Sequence, residues 1–212
     1  MRYFDQAISL GPDCQTAFQI RRIFGKPLCP SGIFDSQVTP LSALLAYIES
    51  DFCGMFNRDD LRATDWGVIN TKYQTVHPHE FADGNLENYG VARKRHDYLC
   101  AKIRRAIQGS TRTVFIFHSL TPREDEVQMR RVLRSVNPNG RFDVLAVEAR
   151  PELPPSYPSD IWCGNDEHWD TALANIRIRR SATGVLRRQI SRISNHVLNV
   201  YERCSISFGA SA

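Results

Sequence analysis

The sequence predicts an α/β fold, a three-layer sandwich with a mostly parallel central sheet. Three observations carry that expectation. Continuous apolar runs, VFIF at Val114–Phe117 and VLAV at Val144–Val147, have the length and content of strands covered on both faces. Amphipathic segments lie between them, most clearly PREDEVQMRRVLRSV from Pro122 to Val136. Strands alternating with helices in one chain make parallel sheets, because a parallel neighbour is reached by a crossover.

In order along the chain, FDQAISLG reads as a short strand ending at Gly11, and TAFQIRRIFG as a short helix closed by Gly25. KPLCPSGIFDSQVTP follows as a long loop punctuated by proline and glycine, of the kind enriched in function. Thr39 and Pro40 signal the start of the helix LSALLAYIESDF, whose Leu41, Leu44, Leu45 and Ile48 share a face. From Cys53 to Asn88 the pattern loosens, with short strands expected in WGVIN and YQTVH and turns in HPHEFADGN. Asn88 to Ile107 reads as a basic helix, STRTVFIFHS as a buried strand, and PREDEVQMRRVLRSV as a helix with Pro122 near its start and acids in its first turn. NPNG turns the chain into the strand RFDVLAVEA. RPELPPSYPSD, with four prolines, is a stiff loop leading into DIWCGNDEHWDTAL; Thr171 to Cys204 reads as one or two helices and SISFGASA as a frayed tail.

The 212 residues, 42% of them hydrophobic, suffice for one compact domain, so 1–212 is expected to be a single α/β domain with 174–212 as a C-terminal helical extension. The net charge of +4 comes from arginines clustered late, in IRIRR and LRRQISR, without interleaved aromatic residues. That pattern fits solvated helix faces and argues against nucleic acid as a partner. No segment approaches the roughly 18 apolar residues of a membrane helix, and MRYFDQAISLGPD lacks a signal-peptide core, so a cytoplasmic protein with no membrane partner is expected. Six scattered cysteines without CxxC or Cys/His zinc spacing suggest neither a disulfide framework nor a metal site, and no organic cofactor is implied. Oligomeric state is left open.

Cys14 stands apart from the other cysteines because it follows a Gly-Pro-Asp turn at the start of a helix. The positive end of a helix lowers a thiol pKa, and its free N–H groups can hold an oxyanion, as acyl transfer requires. A thiolate enzyme also needs a base. His96 and His196 lie in basic helical stretches and read as surface or packing residues. His77 and His79 flank Pro78 in a rigid turn, His118 ends the strand VFIF where α/β folds open on their ligand crevice, and His168 lies in GNDEHW. Asp35, Glu80, Asp83 and Asp166 are loop carboxylates able to orient an imidazole. Asp13, Gln15, His77, His118 and Trp169 are the candidates for contact with substrate.

Several of these pieces resemble, in order, an uncharacterised bacterial family described as papain-like cysteine peptidases. SLGPDC is similar to its SLGxxC element, GIFDSQ to its PFDW segment and HEF to its HDF; VFIFHS sits where its buried LFVR strand lies, and DIWCGNDEHW is similar to its closing GNDxxW pattern. The resemblance runs from about Ile8 to Leu173. It implies Cys14 as nucleophile, His79 as base and acid, and Asp35 or Asp166 as the carboxylate that orients the ring. Two positions depart from the pattern: Ser36 stands where the family has tryptophan, and His118 where it has arginine. The leading expectation is thus a thiol-dependent acyl hydrolase, most specifically a peptidase, acting on a peptide substrate. The alternatives are a cysteine acyltransferase or esterase acting on an acylated small molecule or sugar of surface polysaccharide, with Arg21, Arg22, Lys94 and Arg95 meeting donor phosphates, and a noncatalytic ligand-binding module.

Overall fold

The apolar run at Val114–Phe117 lies in the middle strand of a parallel sheet in the computed structural model, which describes residues 1–65, 67–81, 86–149 and 161–179. The chain opens with β1 (Arg2–Phe4) and, after a bend at Asp5, β2 (Gln6–Ser9), followed by helices α1 (Cys14–Phe24) and α2 (Leu41–Glu49). Three short strands come next, β3 (Leu61–Thr64), β4 (Gly67–Asn70) and β5 (Thr75–His77). Then α3 (Tyr89–Gln108), β6 (Thr113–Ser119), α4 (Pro122–Val136), β7 (Phe142–Glu148), α5 (Asp166–Leu173) and β8 (Ile176–Ile178) complete the described elements.

β2, β6 and β7 form a parallel sheet in that order, with Gln6 opposite Thr113 and Thr113 opposite Phe142. Successive side chains of these strands feed two different cores. Ile8, Phe115, Phe117 and Val144 pack with Leu44 and Ile48 of α2, Leu99 and Ile103 of α3, and Met129 and Leu133 of α4. Ala7, Val114, Ile116 and Val147 pack with Ile20 of α1 and with Trp169 and Leu173 of α5. A strand covered on both faces has no polar side to present, which is why β6 is apolar at every position from Val114 to Phe117. β3, β4 and β5 form a separate antiparallel sheet, whose Leu61 and Val68 pack against Phe56, Phe81 and Ala92. The molecule is therefore mixed α/β, with parallel and antiparallel sheets.

Two boundaries differ from expectation for local reasons. α2 stops at Glu49, because Asp51 and Phe52 take positive φ values (50° and 61°) that turn the chain and return Phe52 to the core. The helix expected from Thr171 ends at Leu173, and Ile176–Ile178 instead pair in parallel with β1. Ile176 is buried and Arg177 exposed, a period-2 alternation hidden inside an arginine-rich run. The proline-rich stretch 150–160, Asp83, and residues 180–212 with LRRQISR, His196, Cys204 and the expected helical extension lie outside the described residues. Among the described residues no helix is long and apolar enough to cross a membrane.

Candidate functional site

The site is built where β2 ends. Leu10 still donates its N–H to Ile116 O at 2.8 Å, and the chain then leaves the sheet through Gly11. Gly11 has φ +88°, and a Cβ there would also press on Asp13 N at 3.4 Å, so glycine suits the turn. Asp13 caps α1, its Oδ1 accepting the Gln15 N–H at 2.8 Å. Cys14 is the first residue of the helix and is half-buried. With Phe18, Arg21 and Arg22 on the same helix, and with Asp35 and Trp162, it lines an open cleft of about 480 Å³. Phe18 and Trp162 meet edge to face at 5.2 Å.

The electrostatics of Cys14 overturn the expectation of an activated thiolate. Its pKa is raised, chiefly by burial and then by the Asp13 carboxylate, and its own backbone hydrogen bond offsets only part of this. The carboxylate that caps the helix occupies the positive end on which a thiolate was expected to draw.

The expected triad is not assembled in this structure. His79 is exposed on the turn after β5, and among the described residues no hydrogen bond or ion pair joins it to Cys14, Asp35 or Asp166. Asp35 is nearly buried and is bonded by the Arg21 guanidinium and by Gly32 N–H at 3.0 Å; its Oδ1 has no partner among the described residues, and burial outweighs Arg21 to raise its pKa. Asp166 accepts from Gln19 Nε2 at 2.8 Å and pairs with Arg22 at 3.2 Å. His77 belongs to the core, bonded to Thr75 Oγ1 at 3.0 Å, and burial pushes its pKa down to about 3. His96 is likewise buried, and its Nε2 lies 3.1 Å from the Tyr47 hydroxyl. His168 donates Nε2–H to Glu148 O at 2.7 Å.

The imidazole that does meet the Cys14 turn is His118. It lies at the end of β6, beside the end of β2, with its backbone N–H directed at Gly11 O at 3.4 Å. Its Nδ1 is 2.9 Å from Thr16 Oγ1, whose single proton can go to Gly11 O at 2.7 Å. With that proton on Gly11 O, Nδ1 donates to the threonine oxygen and Nε2 is bare; with it directed at Nδ1, Nε2 carries the ring proton toward Asp13. Nε2 faces Asp13 Oδ2 at 3.7 Å. Burial lowers the His118 pKa and Asp13 partly opposes this. Trp169, buried beneath, meets the ring edge to face at 6.2 Å. Gln15 lies over Gly164, where φ is +75° and any Cβ would strike the Gln15 amide.

Asp13, Cys14, Gln15, His118 and Trp169 are thus brought to one turn, and Asp35 shares the Cys14 cleft while paired with Arg21, whereas His77 lies in the core and His79 on the turn after β5. Thr16 was not legible as a site residue, because only the pairing of β2 with β6 sets it against His118. A second hollow, of about 300 Å³, opens on the other residues of this edge, with Pro12, Leu41, Leu44, Phe117, His118 and Leu120 in its wall. Among the described residues no group of three or more His, Cys, Asp or Glu is arranged to hold a metal ion. Compared with models of protein families, with curated proteins and with solved structures, the chain matches none.

Proposed function

We propose that this chain is a thiol-dependent acyl hydrolase or transferase in which Cys14 attacks a carbonyl and His118, in place of His79, takes the thiol proton. The observation that carries the reading is the place of His118: its ring lies against the turn that presents Cys14, with Nδ1 2.9 Å from Thr16 Oγ1 and Nε2 3.7 Å from Asp13 Oδ2. Because the resting thiol is protonated, the base acts during attack instead of standing as a preformed ion pair. A bond forms from Cys14 Sγ to the carbonyl carbon as the proton passes to His118 Nε2. The tetrahedral oxyanion is held by backbone N–H groups at the start of α1. The leaving group departs with the proton from His118, giving a thioester. Water, or an acceptor hydroxyl, gives its proton to His118 and adds to the thioester; the C–S bond breaks and the proton returns to the sulfur. The reading places the β2–β6–β7 sheet as the middle layer of a three-layer sandwich, supported by its two helix-covered faces.

Brief treatment with limiting iodoacetamide, followed by intact-mass analysis and peptide mapping, and hydrolysis of p-nitrophenyl acetate test it together. Cys14→Ala should abolish ester cleavage, and His118→Gln should lower it by about 10²- to 10⁴-fold, the usual contribution of a general base. His79→Ala should leave both readouts within about twofold. A loss in His79→Ala comparable to that in His118→Gln would return the base to His79. The raised thiol pKa favours a rival reading, a binding module without catalysis; cleavage equal in wild type and Cys14→Ala would overturn the thiol reading.

A further inference from the structure

We infer that a hollow at the end of the β2–β6–β7 sheet where the strands begin, opposite the Cys14 turn, is a binding site for a small ligand carrying a diphosphate group. Its volume is about 380 Å³, within the range of small-molecule sites, and Arg2, Phe4, Arg112, Arg134, Arg141 and Asp143 line it. The four arginines come from four segments: β1, the turn into β6, the last turn of α4 and the turn into β7. One carboxylate therefore meets four guanidiniums, an excess of three positive charges in one concave space.

That carboxylate is already shared, because Asp143 takes Arg2 at 2.8 Å on one oxygen and the Arg130 guanidinium of α4 on the other. Among the described residues no carboxylate forms an ion pair with Arg112, Arg134 or Arg141. Asp5 Oδ2 accepts the backbone N–H of Arg112, at 3.0 Å. Two of the guanidiniums are held in place by the aromatic rings of the lining: Arg112 lies 5.3 Å over the centre of Phe4, and Arg134 lies 4.5 Å over that of Phe142. Arg134 also donates to Gly140 O at 2.8 Å and to Phe142 O at 3.2 Å, so its charge is positioned before any ligand arrives. Phosphate oxygens accept from several directions at once and suit guanidiniums converging from separate segments. A single phosphate group brings only about 1.5 to 2 negative charges at pH 7, whereas a diphosphate brings about three and matches the excess. Nucleic acid fits less well. The arginines ring a hollow, and Phe4 and Phe142, 4% and 6% exposed, leave no ring face for a base to stack on.

Isothermal titration calorimetry of the full-length protein with pyrophosphate at low salt tests the assignment. One pyrophosphate should bind per chain, about tenfold or more tighter than orthophosphate or citrate. Arg112→Gln and Arg141→Gln, at exposed positions, should each weaken binding about tenfold, the worth of a charge-assisted contact, while Arg58→Gln, exposed just before β3, should change it less than about twofold. Circular dichroism checks that each variant is folded. Adenosine diphosphate bound as tightly as pyrophosphate would assign the group to a nucleotide, and weaker binding would assign it to the free ion; either result upholds the site. No saturable binding, an equal loss in all three folded variants, or orthophosphate or citrate bound as tightly as pyrophosphate overturns it. So does a DNA oligonucleotide that binds more tightly than pyrophosphate and depends on Arg112 and Arg141.

Discussion

Acidification from pH 7.5 to 5.5 should cost this protein about 2.8 kcal/mol of folding stability through two histidines of its core. His77 and His96 are 1% and 3% exposed and share one aromatic neighbour. His96 stacks on Phe56 with ring centres 4.6 Å apart, and His77 meets the same ring edge-on at 4.9 Å. Burial holds their pKa values down to about 3 for His77 and about 4 for His96, and His96 adds to the depression of His77. In the unfolded chain both return to about 6.5, so the folded state binds fewer protons. Stability is then complete above pH 6.5 and is lost as the pH falls toward the folded values. Since both folded values lie well below 5.5, the loss at that pH depends only on the unfolded chain, which is protonated about tenfold over neutral at each site. That is about 1.4 kcal/mol per histidine. Urea unfolding at pH 7.5, 6.5 and 5.5, followed by circular dichroism with the m-value checked for constancy, measures it. His96→Phe keeps the ring on Phe56 and takes away the Tyr47 partner, so it is less stable at every pH. Its loss between pH 7.5 and 5.5 should nevertheless be about 1.4 kcal/mol smaller than that of the wild type. The same comparison cancels every other group that titrates in the window. An identical loss in both proteins would refute the reasoning.

Cys14 should alkylate with a pH–rate midpoint above 9.0, the ordinary thiol value, because burial and Asp13 both hold the proton on sulfur; a midpoint below that would restore the activated thiolate. Asp13→Asn keeps the capping oxygen and removes the charge, so the alkylation rate at pH 7 should rise severalfold, read by intact mass. Arg21→Met leaves the nearly buried Asp35 carboxylate with only Gly32 N–H and should cost about 2–3 kcal/mol at pH 7, below the full figure for a buried pair because Arg21 is partly exposed. The deficit should shrink on acidification as Asp35 takes a proton, seen in urea unfolding at pH 7 and 4.5.

Strands β6 and β7 and helix α4 were legible because their patterns are local: an apolar run of strand length, and a 3.6-residue period with Pro122 and two acids at its start. The turn before Cys14 was legible for the same reason, as glycine, proline and aspartate leave few other backbone paths. What escaped the sequence is relational. β8 is three residues long, and its alternation is masked by flanking arginines. His118 stood among the candidates as the end of a buried strand, but its place beside the Cys14 turn follows only from β2 lying next to β6, a pairing of positions more than 100 residues apart. His79 was preferred on motif resemblance, and it sits beyond the antiparallel sheet, a unit whose position relative to the thiol no local pattern encodes. The electrostatic sign at Cys14 failed for a different reason. The helix terminus was counted as positive, while the burial of the sulfur, the larger effect, and the charge of the capping Asp13 were not counted.

That capping charge separates the resting state of the site from its reacting state. In the resting protein Asp13 lies near a thiol that burial, and then its own charge, keep protonated, and 3.7 Å from an imidazole whose pKa burial lowers. A protonated thiol is poorly oxidised and poorly alkylated, so the half-buried sulfur is protected while the cleft is empty. In the proposed attack the proton would move to His118, and the negative charge from sulfur onto the oxyanion held at the helix start. On that proposal Asp13 would then face an imidazolium at close range, and the same carboxylate that disfavours a thiolate would favour the proton-transferred state. One charge therefore acts with opposite sign on two measurable rates. Asp13→Asn should speed alkylation by iodoacetamide, which needs only thiolate, and slow acyl-ester cleavage, which needs the imidazolium. If both rates rise together, His118 is not the proton acceptor; if neither moves, Asp13 is a helix cap and nothing more.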